Sequence, residues 1–286
     1  MTISIQANIA ALRGQRLLES NSTSLSQSFQ RLSSGTRIVT ASDDAAALAI
    51  AESLRVKSRI ASVAMRNAND AISFIALSDS ALASINQILP RMAELAEQSA
   101  NGTYLNFQRS AMNQEFNALA SEIDRIAATT RFNGVTMLMD DVAVSFQVGF
   151  DSQSVSQITF LTSITAGTLG ALRLAEGDKL SYSLNANTVV AAMEASRTAL
   201  DAVVAAIANV SQKRGHLGAL NNRLEAAVSQ ISSMRENTEA AAARIRDIDV
   251  ASESAELIRR TIIGQVGAAV LAQANQAPAL ALRLLS

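Results

Sequence analysis

Residues 72–98 read ISFIALSDSALASINQILPRMAELAEQ, and this stretch decides the fold. Ile75, Leu82, Leu89 and Ala96 stand seven apart, and Ile85 and Met92 follow Leu82 and Leu89 by three. An apolar repeat of this kind is the sequence form of a helix packed along a seam. It lies inside a longer run, Asp44 to about Ala100, that contains no glycine. Pro90 and Pro278 are the only prolines in the chain, so helix breakers are scarce. At 1.5 Å rise per residue the run predicts a helix roughly 85 Å long.

A partner for it stands far off in sequence. Leu217, Leu224, Ile231 and Ile245 keep the seven-residue register, with Leu220, Met234 and Ile248 in the complementary set. Two distant seams can bury one another. Between Ser110 and Thr129 the stripe Met112, Phe116, Leu119, Ile123 and Ile126 marks a shorter amphipathic helix, entered through the turn Asn101-Gly102-Thr103. After Asn133-Gly134 the character changes. Val135 to Leu184 is rich in Val, Ile, Thr and Phe with Gly149, Gly167, Gly170 and Gly177, and Val142, Val144, Phe146 and Val148 alternate as in a strand with one apolar face. Helix resumes near Thr188. The predicted fold class is mainly α: a long antiparallel, coiled-coil-like bundle with a small β-hairpin region and with the N- and C-terminal helices paired.

The ends carry stripes without bulk. Ile5, Ile9, Leu12, Leu18, Leu25, Phe29 and Leu32 mark one end, and Leu257, Ile258, Ile262, Val266, Val270 and Leu271 the other. Only ten of 286 residues are aromatic, eight Phe and two Tyr, too few to give either end a core of its own. Each end is expected to bury its stripe against the other and against neighbouring molecules, so that the core is completed by assembly. In the free monomer, residues 1 to about 40 and about 248 to 286 are expected to be largely disordered.

Composition removes several functions. With 24 basic and 25 acidic residues the chain has no net positive field for nucleic acid or anionic lipid, and its densest basic runs, Arg55 to Arg59 and Lys213-Arg214, are short. The absence of cysteine removes disulfides, thiolate metal sites and Cys nucleophiles. The lone His216 cannot build a multi-ligand zinc site, and no G-x-S-x-G, G-x-G-x-x-G or P-loop pattern occurs. Asp43-Asp44 reads as an N-cap with a first-turn acid, against the alternative of metal or acid/base chemistry. Asp247 and Asp249, two apart on a helix, point to different faces, so a cap or an Arg contact fits them better than a shared catalytic site. No catalytic residue, cofactor or metal is expected. Leu257 to Leu285 is too interrupted by polar residues to span a bilayer, and Met1 to Ser20 lacks the pattern of a cleaved secretory signal.

The run Arg31-Leu32-Ser33-Ser34-Gly35-Thr36-Arg37-Ile38 followed by Ala41-Ser42-Asp43-Asp44-Ala45-Ala46 resembles the N-terminal signature of bacterial flagellins. The likeness continues through Arg66 to Ser73, Glu94-Leu95-Ala96, Gln98 to Asn101, Glu122 to Ile126 and Phe132-Asn133-Gly134. It returns at Arg223-Leu224-Glu225, Ile245 to Asp249 and Val270 to Gln276, covering about the first 140 and last 100 residues. The resemblance implies an extracellular structural subunit of the flagellar filament. Such a subunit is exported unfolded through the flagellar type III apparatus without a cleaved signal, and polymerises with copies of itself under a cap. Cap, junction proteins and an export chaperone are the further partners it implies, with no nucleic acid and no membrane insertion. A hook-filament junction protein is the alternative within the family. A membrane-coating helical protein would need a basic polar face, and an enzyme grafted into the β-rich region would need a nucleophile motif.

By the same resemblance, residues 1–34 and 248–286 form the inner filament core and 35–43 a spoke linker. Residues 44–134 and 188–247 form the long-helix bundle, and 135–187 a short variable region in place of a large outer domain. The assembly residues it implies are Ile5, Ile9, Leu12, Leu18, Leu25, Leu32, Leu257, Ile262, Val266, Val270 and Leu271. Arg91, Leu95 and Glu115 match positions through which many flagellins are recognised by a Toll-like receptor, although Pro90 and Ala93 depart from the pattern. Ser152, Ser154, Ser156, Thr159, Thr162, Ser163, Thr165 and Thr168 are hydroxyls that could carry an O-linked glycan.

Overall fold

The computed structural model describes residues 8–139, 143–149, 153, 156–161, 166–176 and 179–285. Ile5 and Val142, and Ser152, Ser154, Thr162, Ser163 and Thr165 among the hydroxyls, lie outside the described residues. Five helices are present among them: α1 (Ile9–Ser34), α2 (Ala45–Ala100), α3 (Asn106–Thr129), α4 (Val189–Arg246) and α5 (Val250–Leu285). Among the described residues between α3 and α4 lie six short strands, β1 (Arg131–Phe132), β2 (Val135–Thr136), β3 (Ala143–Gln147), β4 (Gln157–Leu161), β5 (Ala175–Glu176) and β6 (Lys179–Leu180). They pair as three antiparallel two-stranded ribbons, β1 with β2, β3 with β4 and β5 with β6.

The chain divides into two compact units, residues 59–235 and the combined ends 1–58 and 236–286. Unit 59–235 holds the thick core. Ile75, Leu82, Ile85, Leu89, Met92 and Ala96 of the α2 seam are all buried, as are Leu217, Leu224 and Ile231 of α4, in one contiguous cluster. Within this unit α2 and α4 run antiparallel. Ser196 Oγ bonds Ser99 Oγ at 2.9 Å, and further along Arg214 grips Asp79 through two bonds of 2.7 and 3.1 Å. Of the complementary set, Leu220 packs against the core, whereas Met234 is exposed.

Helix α3 buries Met112, Phe116 and Ile123, with Leu119 and Ile126 packed at the margin. Its first turn is closed by the Gln108 side chain, which accepts from Leu105 N at 2.9 Å. Asn133 (φ 48°) and Gly134 (φ 84°) make the left-handed turn between β1 and β2, a conformation that Asn and Gly adopt at least cost. Half of the eight Phe residues meet here: Phe74 of α2 sits 5.2–5.5 Å, edge on, from Phe132, Phe146 and Phe160. The ribbons therefore pack on the helices as a lid on the core.

Helix α2 runs without a break through Pro90, whose exposed ring leaves the Asn86 carbonyl without its helical donor. By length and composition α2 could cross a membrane, but its apolar seam is the core just described.

Candidate assembly surface

Two paired helices define the unit formed by the chain ends. α1 and α5 lie antiparallel, and two asparagines set their register. Asn8 Nδ2 donates to Ala274 O at 2.9 Å, and Asn21 Nδ2 donates to Arg260 O at 2.8 Å. A polar side chain that finds its partner in one alignment alone makes every slipped alignment costly. Glycines let the axes approach between these bonds. A Cβ on Gly267 would lie 2.9 Å from Leu18 Cδ2, and one on Gly14 would lie 3.0 Å from Leu271 Cδ1. Each helix thus seats a leucine over a glycine of the other.

This pairing divides the residues expected to drive assembly. Leu18, Leu25, Leu32, Leu257 and Leu271 are half-buried, whereas Ile9, Leu12, Ile262, Val266 and Val270 are exposed. Leu17, Phe29, Ile258 and Ile263 are exposed as well. Part of this surface is an apolar groove of about 360 Å3 between the helices, floored by Gly14, Leu18, Gly267 and Leu271 and flanked by Leu17 and Val266. Apolar residues lie on every side of α5, a pattern that belongs to a helix surrounded by other helices. One companion cannot cover it.

The link between α1 and α2 is stitched to the break between α4 and α5. Gly35, left-handed at φ 69°, ends α1. Arg37 N then donates to Arg246 O at 2.6 Å, Ile248 N donates to Gly35 O at 3.2 Å, and Arg37 Nη2 donates to Ile245 O at 2.8 Å. Thr36 and Asp247 form an isolated antiparallel bridge. Asp249 caps α5 by accepting from Ala251 N and Ser252 N.

The acidic pair Asp43-Asp44 has two structural jobs. Asp44 Oδ1 accepts from Ala47 N at 2.9 Å as the cap of α2. Asp43 instead holds the linker, its Oδ2 accepting from Val39 N and Thr40 N at 3.0 Å each. The amides of Thr40 and Val39 keep the Asp43 carboxyl below its usual range. The expected cap and first-turn acid are thereby corrected: Asp44 is the cap, and Asp43 lies in the linker ahead of the helix.

Arg91, Leu95 and Glu115 do not share one surface. Arg91 Nε pairs with Glu115 Oε1 at 2.9 Å and Arg91 Nη1 with Glu94 Oε2 at 3.0 Å, all on exposed side chains. Leu95 is 2 % exposed and belongs to the core, flanking the seam beside Ala96.

Sequence reasoning missed Arg109. It is fully buried, and its guanidinium donates to the carbonyls of Ser99, Asn101 and Tyr104. Ser99 lies in the last turn of α2 and Asn101 just beyond it, so the buried cation meets the negative pole of that helix instead of a carboxylate, while Tyr104 lies in the link to α3. Ser99 Oγ donates to Leu184 O, and Asn113 Oδ1 accepts from Leu184 N, which ties the approach to α4 into the same knot. No His, Asp or Glu cluster suited to a metal occurs among the described residues.

These features define a class: a helical subunit whose own core is confined to its middle, and whose paired ends present apolar faces on several sides. Comparison with known proteins gives the class its family. Residues 5–143 match the bacterial flagellin N-terminal helical region and residues 200–285 the bacterial flagellin C-terminal helical region. A flagellin of Halalkalibacterium halodurans is 39% identical, over 98% of this chain and 99% of its own. The flagellar filament 33 kDa core protein of Treponema phagedenis is 35% identical, over 98% and 99%. The solved structure of a candidate flagellar hook-associated protein from Vibrio parahaemolyticus shares the fold, with a TM-score of 0.56 and 15% identity over 72% of this chain and 100% of that one. The chain belongs to the bacterial flagellin family, a family of structural proteins, and it is a subunit of the flagellar filament. It has no large outer domain.

Proposed function

We propose that this subunit assembles outside the cell through its terminal helices, after export through the flagellar type III apparatus without a cleaved signal. The observation that carries this reading is the exposed apolar face of α1 and α5, Ile9, Leu12, Ile262, Val266 and Val270 among it. A surface of this size in water is costly to a monomer and is removed by packing against copies. Copies placed head to tail through a rotation that does not close a ring propagate the contact as a helix. Residues 1–34 and 248–286 form the inner layer, 35–43 the spoke, 44–134 and 188–247 the surrounding bundle and 135–187 its short outer region. Cap, junction proteins and an export chaperone meet the same terminal faces before or during assembly. The test is negative-stain electron microscopy of heat-depolymerised chain cooled with short seeds, beside a chain lacking residues 249–286. Long filaments from the intact chain and none from the truncated one are expected. An intact chain that never extends seeds overturns the reading in favour of a junction protein.

Recognition by a Toll-like receptor is a second reading, favoured by the exposed Arg91–Glu115 pair, which Leu95 supports from the core. Reduced receptor activation by Arg91→Ala in a cell reporter assay is the expected result.

A further inference from the structure

The turn Asn101-Gly102-Thr103 joins α2 to α3 and is exposed at all three residues. Asn101 Oδ1 accepts twice from Thr103, from its amide N and from its Oγ1, at 3.1 Å each. The bond to Thr103 N closes a small ring that contains the Gly102 amide, so the side-chain carbonyl carbon of Asn101 is folded back toward Gly102 N. Neither Gly102 N nor Asn101 Nδ2 has a hydrogen-bond partner among the described residues. The main-chain carbonyl of the same asparagine is held from the other side, accepting from Arg109 Nη2 at 2.8 Å. Arg109 is fully buried, and its guanidinium meets carbonyls only.

The two carbonyls of Asn101 are thus polarised by different donors, Thr103 on the side chain and Arg109 on the main chain. Such bonds strengthen as negative charge develops on the oxygen. Between the two carbonyls stands Gly102 N, a nucleophile that no side chain of its own residue shields.

We propose that Asn101-Gly102 is a site of self-modification, at which the folded chain converts Asn101 to isoaspartate. Gly102 N attacks the Asn101 side-chain carbonyl carbon, and the new N–C bond closes a succinimide. The bond from that carbon to Nδ2 breaks, and the nitrogen leaves as ammonia with the proton from Gly102 N. Thr103 stabilises the charge that builds on Oδ1. Water then attacks the main-chain carbonyl carbon of Asn101, which Arg109 polarises. The bond from this carbon to Gly102 N breaks, and the chain continues through the former side-chain carbon. One proton of the water passes to Gly102 N, the other goes to solvent, and the oxygen stays in a new carboxylate. That carboxylate forms on the atom Arg109 already holds, so the buried cation gains an anionic partner. A charge-assisted bond is roughly twice as strong as a neutral one, which favours isoaspartate over aspartate.

The sequence holds one other Asn-Gly pair, Asn133-Gly134, in a different setting. It is the tight turn of a hairpin in which Phe132 pairs with Val135, and its glycine is left-handed at φ 84°. No hydrogen bond reaches the Asn133 side chain among the described residues. Closing a succinimide there strains the hairpin, with nothing to assist it.

The test holds the intact chain at mildly alkaline pH under native conditions and reads isoaspartate by peptide mass spectrometry and by isoaspartyl methyltransferase labelling. Isoaspartate is expected at residue 101, and at least about tenfold less at residue 133. A Cβ on Gly102 would lie 3.6 Å from the Met193 thioether, an ordinary contact, and Gly102 is not left-handed, so Gly102→Ala keeps the fold. It should slow loss of the Asn101 amide about tenfold by crowding the nucleophile. Thr103→Val should slow it about as much, and Thr103→Ser should restore it. In urea, where Arg109 no longer reaches the turn, the ratio of isoaspartate to aspartate at residue 101 should fall to that at residue 133. An Asn101 that outlasts Asn133 in the native chain, or one that reacts equally fast in Thr103→Val, overturns the proposal. Equal product ratios in native chain and in urea overturn the steering by Arg109.

Discussion

Arg109 shows what one residue contributes to this fold. Its guanidinium closes three carbonyls at the junction of α2 and α3 from a fully buried position. Arg109→Met keeps most of the bulk but leaves those acceptors unpaired, at about 1–3 kcal/mol for the group. Urea unfolding should show a loss of about 3 kcal/mol, with Arg109→Lys recovering only part of it, because an ammonium cannot span three acceptors as a planar fork does. Asp43 contributes differently. Its folded pKa is depressed, so its contribution is present above the pKa of the unfolded chain and is lost as pH falls through the lower folded value. Amide exchange at Val39 and Thr40 should accelerate in that acid window, and Asp43→Asn should remove the dependence. Asp43 was legible as structural in the sequence, though placed one position too far along, whereas Arg109 was not. Arg109 stands three residues before Met112 in a helix whose apolar stripe is plain, and an arginine there reads as surface. The Asp43-Asp44 pair read as an N-cap with a first-turn acid because spacing alone does not say which carboxylate caps the helix.

At the scale of elements the sequence was more informative. The period of seven in α2 and α4 named the buried positions because a helix repeats its faces every few residues, whatever it packs against. It failed at Met234, where the stripe runs on past the core of the unit. The ribbons were legible as a β-rich region and as the Val144/Phe146 alternation, while their division into three separate pairs depends on turns and on Phe74. The register of α1 against α5 was hidden, since Asn8 and Asn21 look like ordinary polar positions until their carbonyl partners are known. Two substitutions test these elements. Pro90→Ala restores a donor to the Asn86 carbonyl on an exposed face and should raise stability in chemical unfolding by about 2 kcal/mol. Gly267→Leu drives a side chain into Leu18 and should abolish seeded filament growth, while leaving the unfolding of residues 59–235 unchanged.

For the whole molecule, the distribution of buried apolar residues decides how stability is shared. Among the described residues, 35 buried apolar side chains lie in the unit 59–235, and two, Ile38 and Ala51, lie in the unit made of the chain ends. Conformational entropy lost per residue is similar in both, about 1–2 kcal/mol for the backbone, but only the first unit has burial enough to offset it. The α1–α5 pair should therefore open far more readily than the core helices in the monomer, as a separate cooperative step. Hydrogen exchange followed by mass spectrometry should show fast exchange over residues 9–34 and 250–276 and slow exchange over residues 81–96 and 199–217. In filaments the terminal helices should become protected by at least about a hundredfold, because neighbouring copies then supply the burial that the single chain lacks. Slow exchange at both ends of the monomer would show that α1 and α5 are self-sufficient, and assembly would then have to draw its driving force from the surfaces of the long-helix unit.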